Sequence, residues 1–318
     1  MIKFTYNQDM NKTITTIIPF YNCGAGLCQM LDSILAGTVT PDEILLIDDG
    51  STDNSPAIAM DYASKHPFIK YIHQDHAGVS TARNLGAKYA TSHWISFLDA
   101  DDYLEKNYYE CMISGLTDKN IAGCVCGYFT EVDGLTTSYT GSYPKAIDSS
   151  TLLKAMFSDD NVRGFLFTRL FRAELIKDIY FNTAISMCED LLFQTTLFSK
   201  NPDLKFTYIN LPLYHYVQSS TSATNNINLF KGTVFKYKPA FDEIRNLISE
   251  DFVEDSYNSI LEYSMYRLLK EYKNGNKEVL PQIRGVQTEL KNVHPSHSSK
   301  RRLAYIIAPI MYSHLSPS

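Results

Sequence analysis

Several absences bound this sequence before any motif does. Its six cysteines (Cys23, Cys28, Cys111, Cys124, Cys126 and Cys188) form no CxxC pair, and no histidines stand at zinc-finger spacing. That excludes a zinc finger and predicts reduced thiols, the state of a cytoplasmic protein. No apolar run approaches the roughly 18 residues of a membrane span. The opening MIKFTYNQDMNK lacks the apolar core of a signal peptide. A net charge of -6 leaves no positive excess for general nucleic-acid binding. No GxGxxG opens the first helix, which excludes a dinucleotide cofactor, and no GxxxxGK[ST] occurs, which excludes a P-loop nucleotidase. Internal repeats and low-complexity segments are also missing.

What remains is an ordinary globular composition, 44% hydrophobic and 20% charged over 318 residues. The length suits one large domain or two small ones. The 22 tyrosines are compatible with a carbohydrate-handling surface and equally with packing.

The most informative stretch is WISFLDADD, Trp94 to Asp102. An apolar strand stops at Asp99, Asp101 and Asp102, separated only by Ala100. Crowded carboxylates repel one another, and burying them unpaired is costly. A hard divalent cation relieves that cost, with a bound phosphate supplying further ligands. Two plainer readings exist: Asp101 or Asp102 caps a helix starting near Tyr103, or the acids open a calcium loop. Leu104, where an EF-hand needs glycine, counts against the second.

The chain before this stretch alternates strand and helix. Strands are expected at about Thr13–Pro19, Glu43–Ile47 and Ile69–His73, with helices at about Leu27–Leu35, Pro56–Ser64 and Val79–Tyr89. Polar clusters follow each strand: Pro19-Phe20-Tyr21-Asn22, then Asp48 to Asp53, then Ser80, Arg83 and Asn84. Tyr21 is a candidate platform for a planar base. An acid of the Asp48–Asp49 pair could accept from a base or a ribose, or could simply form a turn or cap. Arg83 beside a helix N-terminus suits a diphosphate, or serves as an ion-pair partner. The pattern is an open, mostly parallel, Rossmann-like sheet with a nucleotide over its carboxyl edge.

The second half is less regular. Val125–Val132 reads as a strand, Gly134–Pro144 as a loop, and Phe165–Leu175 as an apolar stretch carrying Arg169 and Arg172. Glu189 and Asp190 open an amphipathic helix, where they complement its dipole or supply a general base. Tyr214-His215-Tyr216, with Ser219 to Thr224, reads as a polar aromatic loop able to close over a ligand. Asn228–Leu290 reads as helical. Lys300-Arg301-Arg302 before Leu303–Tyr312 pairs a basic cluster with a short apolar stretch, which either docks on the protein or lies on an anionic membrane surface.

IIPFYN, ILLIDDGSTD, GVSTARNLG, WISFLDADD and CEDLLF occur in that order. Together they resemble the family 2 glycosyltransferases, inverting enzymes with the GT-A fold, of the kind that build bacterial surface polysaccharides. The resemblance covers about residues 13–224. It implies an α/β fold with a nucleotide-sugar-binding half (1–110), an acceptor-binding, catalytic half (111–226) and a C-terminal helical region (227–318). It implies that Pro19, Tyr21 and Asp49 hold the base, with Tyr21 stacking and Asp49 hydrogen-bonding, and that Asn22 is a nucleotide-binding position. Arg83 and Asn84 would lie beside the nucleotide. Asp99-Ala100-Asp101 matches the DxD motif, with Asp99 on the ribose or sugar and Asp101 on a Mn2+ or Mg2+ ion. Asp190, with Glu189, matches the catalytic base, Ser222 a position near the phosphates, and Arg169 a position by the acceptor. The sequence departs at His76, where Asn is frequent, and at Val217, where a basic residue is frequent, so His215 becomes a candidate phosphate ligand.

The resemblance further implies a UDP-sugar donor, a glycan or lipid-linked acceptor, a cytoplasmic site facing the membrane, and no nucleic-acid partner. A nucleotidyltransferase would open with a basic glycine-rich loop, whereas Tyr21–Gly26 holds no Lys or Arg. A non-catalytic nucleotide-sugar-binding module would bind without turnover.

Overall fold

The computed structural model describes residues 12–116, 120–218 and 227–311. The chain forms two compact units. One holds the described residues up to Ile185 together with Glu189–Gln218; the other holds Ser186–Cys188 and the described residues after Gln218.

The first unit opens with regular alternation: β1 (Ile14–Phe20), α1 (Ala25–Leu35), β2 (Glu43–Asp48), α2 (Ser55–Lys65), β3 (Ile69–His73), α3 (Val79–Tyr89) and β4 (Trp94–Phe97). All seven residues of β1 are buried, as befits a strand covered on both faces. Proline is unusual in such a strand, but here it interrupts nothing. Leu98 N–H donates to Ile17 O at 3.0 Å, and pairing with β4 ends at Ile17↔Phe97. Pro19 is the next residue on that side, so its missing N–H removes no ladder bond. Helix α3 lies close on the sheet because Gly86 has no Cβ; one there would come within 2.4 Å of Ile17 Cγ2.

The chain continues through β5 (Tyr103–Leu104), α4 (Tyr108–Gly115), β6 (Ile121–Val132), β7 (Leu135–Tyr139), β8 (Ala146–Asp148), α5 (Ser149–Ser158), β9 (Arg169–Arg172), α6 (Ala173–Ile176), α7 (Glu189–Lys200) and β10 (Lys205–Gln218). The strand order is β3-β2-β1-β4-β9-β6-β10-β5, with β7 on β6 and β8 on β10. From β3 to β4 all pairings are parallel, whereas β9 is antiparallel to both β4 and β6. The chain leaves β3 and re-enters the sheet on the other side of β1. That reversal opens a crevice at the carboxyl ends of β1 and β4.

Three expectations for this unit change. No helix starts near Tyr103, because Tyr103–Leu104 pairs antiparallel with Tyr214–His215. Tyr214–Tyr216 belongs to β10, not to a loop, because β6 supplies a partner strand along its length. Gly134–Pro144 contains β7, which pairs with β6 from Leu135 to Tyr139. These pairings join residues far apart in sequence, so local propensity carries little of the signal.

In the second unit, a hairpin of β11 (Phe230–Lys231) and β12 (Val234–Phe235) precedes α8 (Lys238–Leu247), α9 (Asp251–Lys273), α10 (Leu280–Asn292) and α11 (Lys300–Ile307). The segment expected to be helical from Asn228 therefore begins with a hairpin. Buried Leu261, Met265 and Leu268 of α9, and Ile283, Val286 and Leu290 of α10, follow helical spacing. Among the described residues no helix is long and apolar enough to cross a membrane.

Candidate active site

Asp48 and Asp49 end β2 with almost no exposure. Asp48 accepts from Ser51 N at 2.8 Å, Tyr71 Oη at 2.8 Å and His73 Nδ1 at 3.0 Å. Burial pushes its carboxyl up, but these bonds outweigh burial and hold it below the usual carboxylate range. Asp49 is held by several donors as well. Oδ1 accepts from Gln74 Nε2 at 2.6 Å and Ala77 N at 2.8 Å, while Oδ2 accepts from Gly78 N at 2.9 Å and faces His76 Nδ1 at 2.9 Å. Three donors hold the carboxylate, and His76 Nδ1 also lies 3.0 Å from the Asp49 backbone carbonyl oxygen. Asp49 is thus the hub of the 74–78 loop. Gly50 lets that loop approach: its φ is 76°, and a Cβ would stand 2.8 Å from His76 N.

Asn22 ties the turn after β1 to the turn after β2. Its φ is 49°, its N–H donates to Ser51 Oγ at 3.0 Å, and its Oδ1 accepts from Thr52 N at 2.7 Å and Asp53 N at 3.2 Å. Tyr21 is 46% exposed, its ring centroid 4.3 Å from that of His76. The two rings form an open aromatic rim beside Asp49.

At the end of β4 the acids fare differently. Ala100 is buried, and Asp99 is partly exposed, with its N–H donating to Tyr214 Oη at 3.2 Å. Asp101 stands at the exposed rim; lost hydration and then the charge of Asp99 push its carboxyl up. Asp102 is fully buried, accepting from Tyr214 Oη at 2.6 Å and Val217 N at 2.8 Å. Burial, Asp99 and Asp101 push it well above the usual range. Asp102 and Tyr214 clamp the Asp99–Asp102 turn to β10, a role that neither residue's local sequence signals.

Arg83, on α3, joins three elements. Its Nη1 donates to Glu189 Oε1 at 2.8 Å and its Nη2 to Asp99 Oδ1 at 3.1 Å, with the side chain only 7% exposed. Burial disfavours its charge, but Asp99, Glu189 and Asp190 more than restore it. Its Nε and the nearby Ser80 Oγ are buried without hydrogen-bond partners among the described residues. Arg83 is thus an ion-pair bridge, with one donor unused. Asp190 follows Glu189 in the first turn of α7, after Cys188 at φ 60°. Burial and then Glu189 push its carboxyl up to about 7, although Arg83 opposes them.

Three expected site residues are engaged elsewhere. Asn84 Nδ2 donates to Phe181 O at 2.9 Å and its Oδ1 accepts from Phe181 N at 2.8 Å, so its amide clamps backbone. Arg169 has no exposed surface; its Nη1 donates to Val162 O at 3.1 Å and Phe165 O at 3.0 Å, and its Nη2 to Arg163 O at 2.5 Å. It staples the 162–168 turn. His215 lies between the rings of Tyr103 (4.1 Å) and Phe129 (4.5 Å), with Nδ1 2.9 Å from Glu131 and Nε2 2.9 Å from Glu105. Both nitrogens face carboxylates, so a phosphate finds no free donor there. Glu105 and Glu131, which carried no sequence signal, complete that cluster. Ser222 lies outside the described residues.

The sequence matches the family Glycosyl transferase family 2 over residues 15–180, just over half of the chain. It is 26% identical over 287 residues to EpsH of Bacillus subtilis, named as a glycosyltransferase, covering 86% of this chain and 81% of that one. It is 29% identical over 263 residues to the cholesterol galactosyltransferase of Borreliella burgdorferi, covering 77% and 73%. The fold resembles residues 1–349 of S. aureus TarS in complex with UDP-GlcNAc, with TM-score 0.66 and 19% identity over 95% of this chain and 87% of that one. The five motifs, the reversal between β1 and β4 and the family match converge: the chain belongs to glycosyl transferase family 2 and is a glycosyltransferase.

Proposed function

We propose that the protein moves a sugar from a UDP-sugar to a hydroxyl of a glycan or lipid-linked acceptor, in one displacement that inverts the anomeric carbon. The observation that carries this reading is Asp190. Its carboxyl is pushed up to about 7 at the opening of α7, one residue from the Glu189–Arg83–Asp99 bridge. A base with pKa near the working pH is both deprotonated and able to take a proton. Asp190 removes the acceptor proton as its oxygen attacks; Glu189 and Arg83 hold the start of α7 against the DxD turn. Tyr21 and His76 provide ring faces for the base, and the loop organised by Asp49 shapes its edge.

The uridine part of the donor is supported by the TarS complexes with UDP-GlcNAc and UDP. The surface-polysaccharide setting is supported by the relative GgaB, named as a minor teichoic acid biosynthesis protein. A divalent cation, Mn2+ or Mg2+, fits Asp101: lost hydration and then the like charge of Asp99 raise this oxygen donor, and among the described residues no cationic side chain pairs with it. No group of three or more ligating side chains surrounds it among the described residues, so the donor diphosphate and water would complete the shell. Bound there, such an ion neutralises charge on the leaving diphosphate.

Calorimetric titration of UDP with and without Mn2+, into wild type, Asp101→Ala and Asp190→Asn, tests the assignment. UDP binding should need the metal, vanish in Asp101→Ala and survive in Asp190→Asn, which should transfer no sugar. Wild-type rates in Asp190→Asn would remove it as the base. Nucleotide binding with no transfer or hydrolysis of any UDP-sugar would favour a non-catalytic module.

A further inference from the structure

The second unit ends in a helix with two unlike faces. Arg302 and Tyr305 of α11 point inward: Arg302 Nε donates to Asn258 Oδ1 at 2.7 Å, its Nη2 reaches the Leu290 and Val293 carbonyls at 2.6 Å each, and Tyr305 is buried. On the opposite face Leu303 and Ile307, one turn apart, are 56% and 69% exposed. Met311, just beyond the helix, is exposed too. Lys300 and Arg301 stand exposed in the first turn. Exposed Tyr263 and Tyr266 of α9 flank Glu262, which accepts from Ser299 Oγ, the N-cap of α11.

The charge of this region is opposite to that of the rest of the chain. Residues 263–318 carry nine Lys and Arg against three Asp and Glu, a net +6, whereas the whole chain carries -6. Cations in the first turn of a helix oppose its dipole. The ion pairs of this unit join Lys238 and Arg245 to Asp242 and Glu254, and among the described residues neither Lys300 nor Arg301 takes part in one. An outward apolar pair, unpaired cations beside it and flanking tyrosines are what the headgroup region of an anionic bilayer accommodates.

We propose that α11, with the adjoining turn of α9, docks the protein on anionic membrane. Lys300 and Arg301 lie against lipid phosphates, and Leu303 and Ile307 enter the headgroup boundary. Attachment is peripheral and reversible, and it is independent of the transfer reaction.

The test is flotation of the full chain with vesicles of phosphatidylcholine alone or mixed with phosphatidylglycerol, at low and high salt. Wild type should float with the mixed vesicles only, and high salt should release it. Lys300→Glu with Arg301→Glu should lower the partition coefficient about tenfold or more. Leu303→Ser with Ile307→Ser should also lower it, and both pairs should leave the melting temperature within a few degrees of wild type. Equal binding to both vesicle types, salt-insensitive binding, or wild-type flotation by both double variants would overturn the proposal. So would a wild-type dimer that Leu303→Ser with Ile307→Ser converts to monomer, which would assign the face to a second copy.

Discussion

Two groups of acids close parallel strands of one sheet, β2 and β4 on either side of β1, and they are treated in opposite ways. Asp48 and Asp49, after β2, are surrounded by donors, and Asp48 is held below its ordinary pKa. Asp101 and Asp102, after β4, are raised, as is Asp190 at the start of α7. The same residue type at the same edge thus does different work. Where donors outnumber acids, carboxylates organise loops. Where acids outnumber donors, the shortage leaves room for a proton or a cation. The second group is where chemistry is expected.

The largest effect that would sharpen this contrast is on turnover. Asp190→Asn should lower kcat by about 10²–10⁴-fold, with UDP affinity kept within about threefold. In wild type, kcat/KM should rise with pH up to about 7 and then level off, a limb that added positive charge at Asp101 would move lower. Stability should respond in the opposite sense. The folded protein holds the Asp190 proton to a higher pH than the unfolded chain, so this group's contribution declines as pH rises from about 4 to about 7. Asp190→Asn should therefore melt higher than wild type at pH 8, with the gap closing towards pH 4. A gap that widens on acidification would break the assignment.

Next is the bridge. Arg83→Met leaves Asp99 and Glu189 facing each other without their cation and should cost about 3–5 kcal/mol in denaturant unfolding. A loss under 1 kcal/mol would mean that water already shields the pair.

The paired comparison is Asp48→Asn against Asp102→Asn. Asp48 has a lowered pKa in the folded state, so its contribution is complete above about pH 4 and is lost as pH falls below that. Asp48→Asn turns amide hydrogens towards three donors and should cost about 1–3 kcal/mol at pH 7 and much less at pH 3. Burial, Asp99 and Asp101 disfavour the Asp102 charge, so Asp102→Asn removes a disfavoured charge and should cost clearly less at pH 7. Equal costs for the two would erase the distinction between the groups. The smallest expected effect is at the aromatic rim: Tyr21→Ala should weaken UDP binding by about 1 kcal/mol, read by calorimetry.

Much of this protein was legible before its structure. The alternation of buried strands and helices up to Asp99 follows from short-range hydrophobic pattern, and so does the expectation that polar clusters gather at strand ends. Those ends share an edge because parallel strands joined by helices all point the same way. The acids at 99–102, the pair at 189–190 and Arg83 were all visible as candidates in the linear chain.

Only the tertiary structure decided what each one touches. Arg83 could have met a diphosphate or an acid; the fold places Glu189, 106 residues away, against it. Asn84 sits in a matched motif and Arg169 where the family often has Lys, yet polar atoms of both are taken up by backbone groups. His215 looked free until Glu105 and Glu131 closed on both of its nitrogens. Tyr214 became part of the Asp99–Asp102 turn because β10 runs beside β6 and brings its hydroxyl to Asp102. Residue type and short-range period are properties of the chain itself. The partner of a buried polar group is set by long-range strand pairing, and burial makes that partner obligatory, because an unpaired charge in the interior costs more than almost any rearrangement that satisfies it.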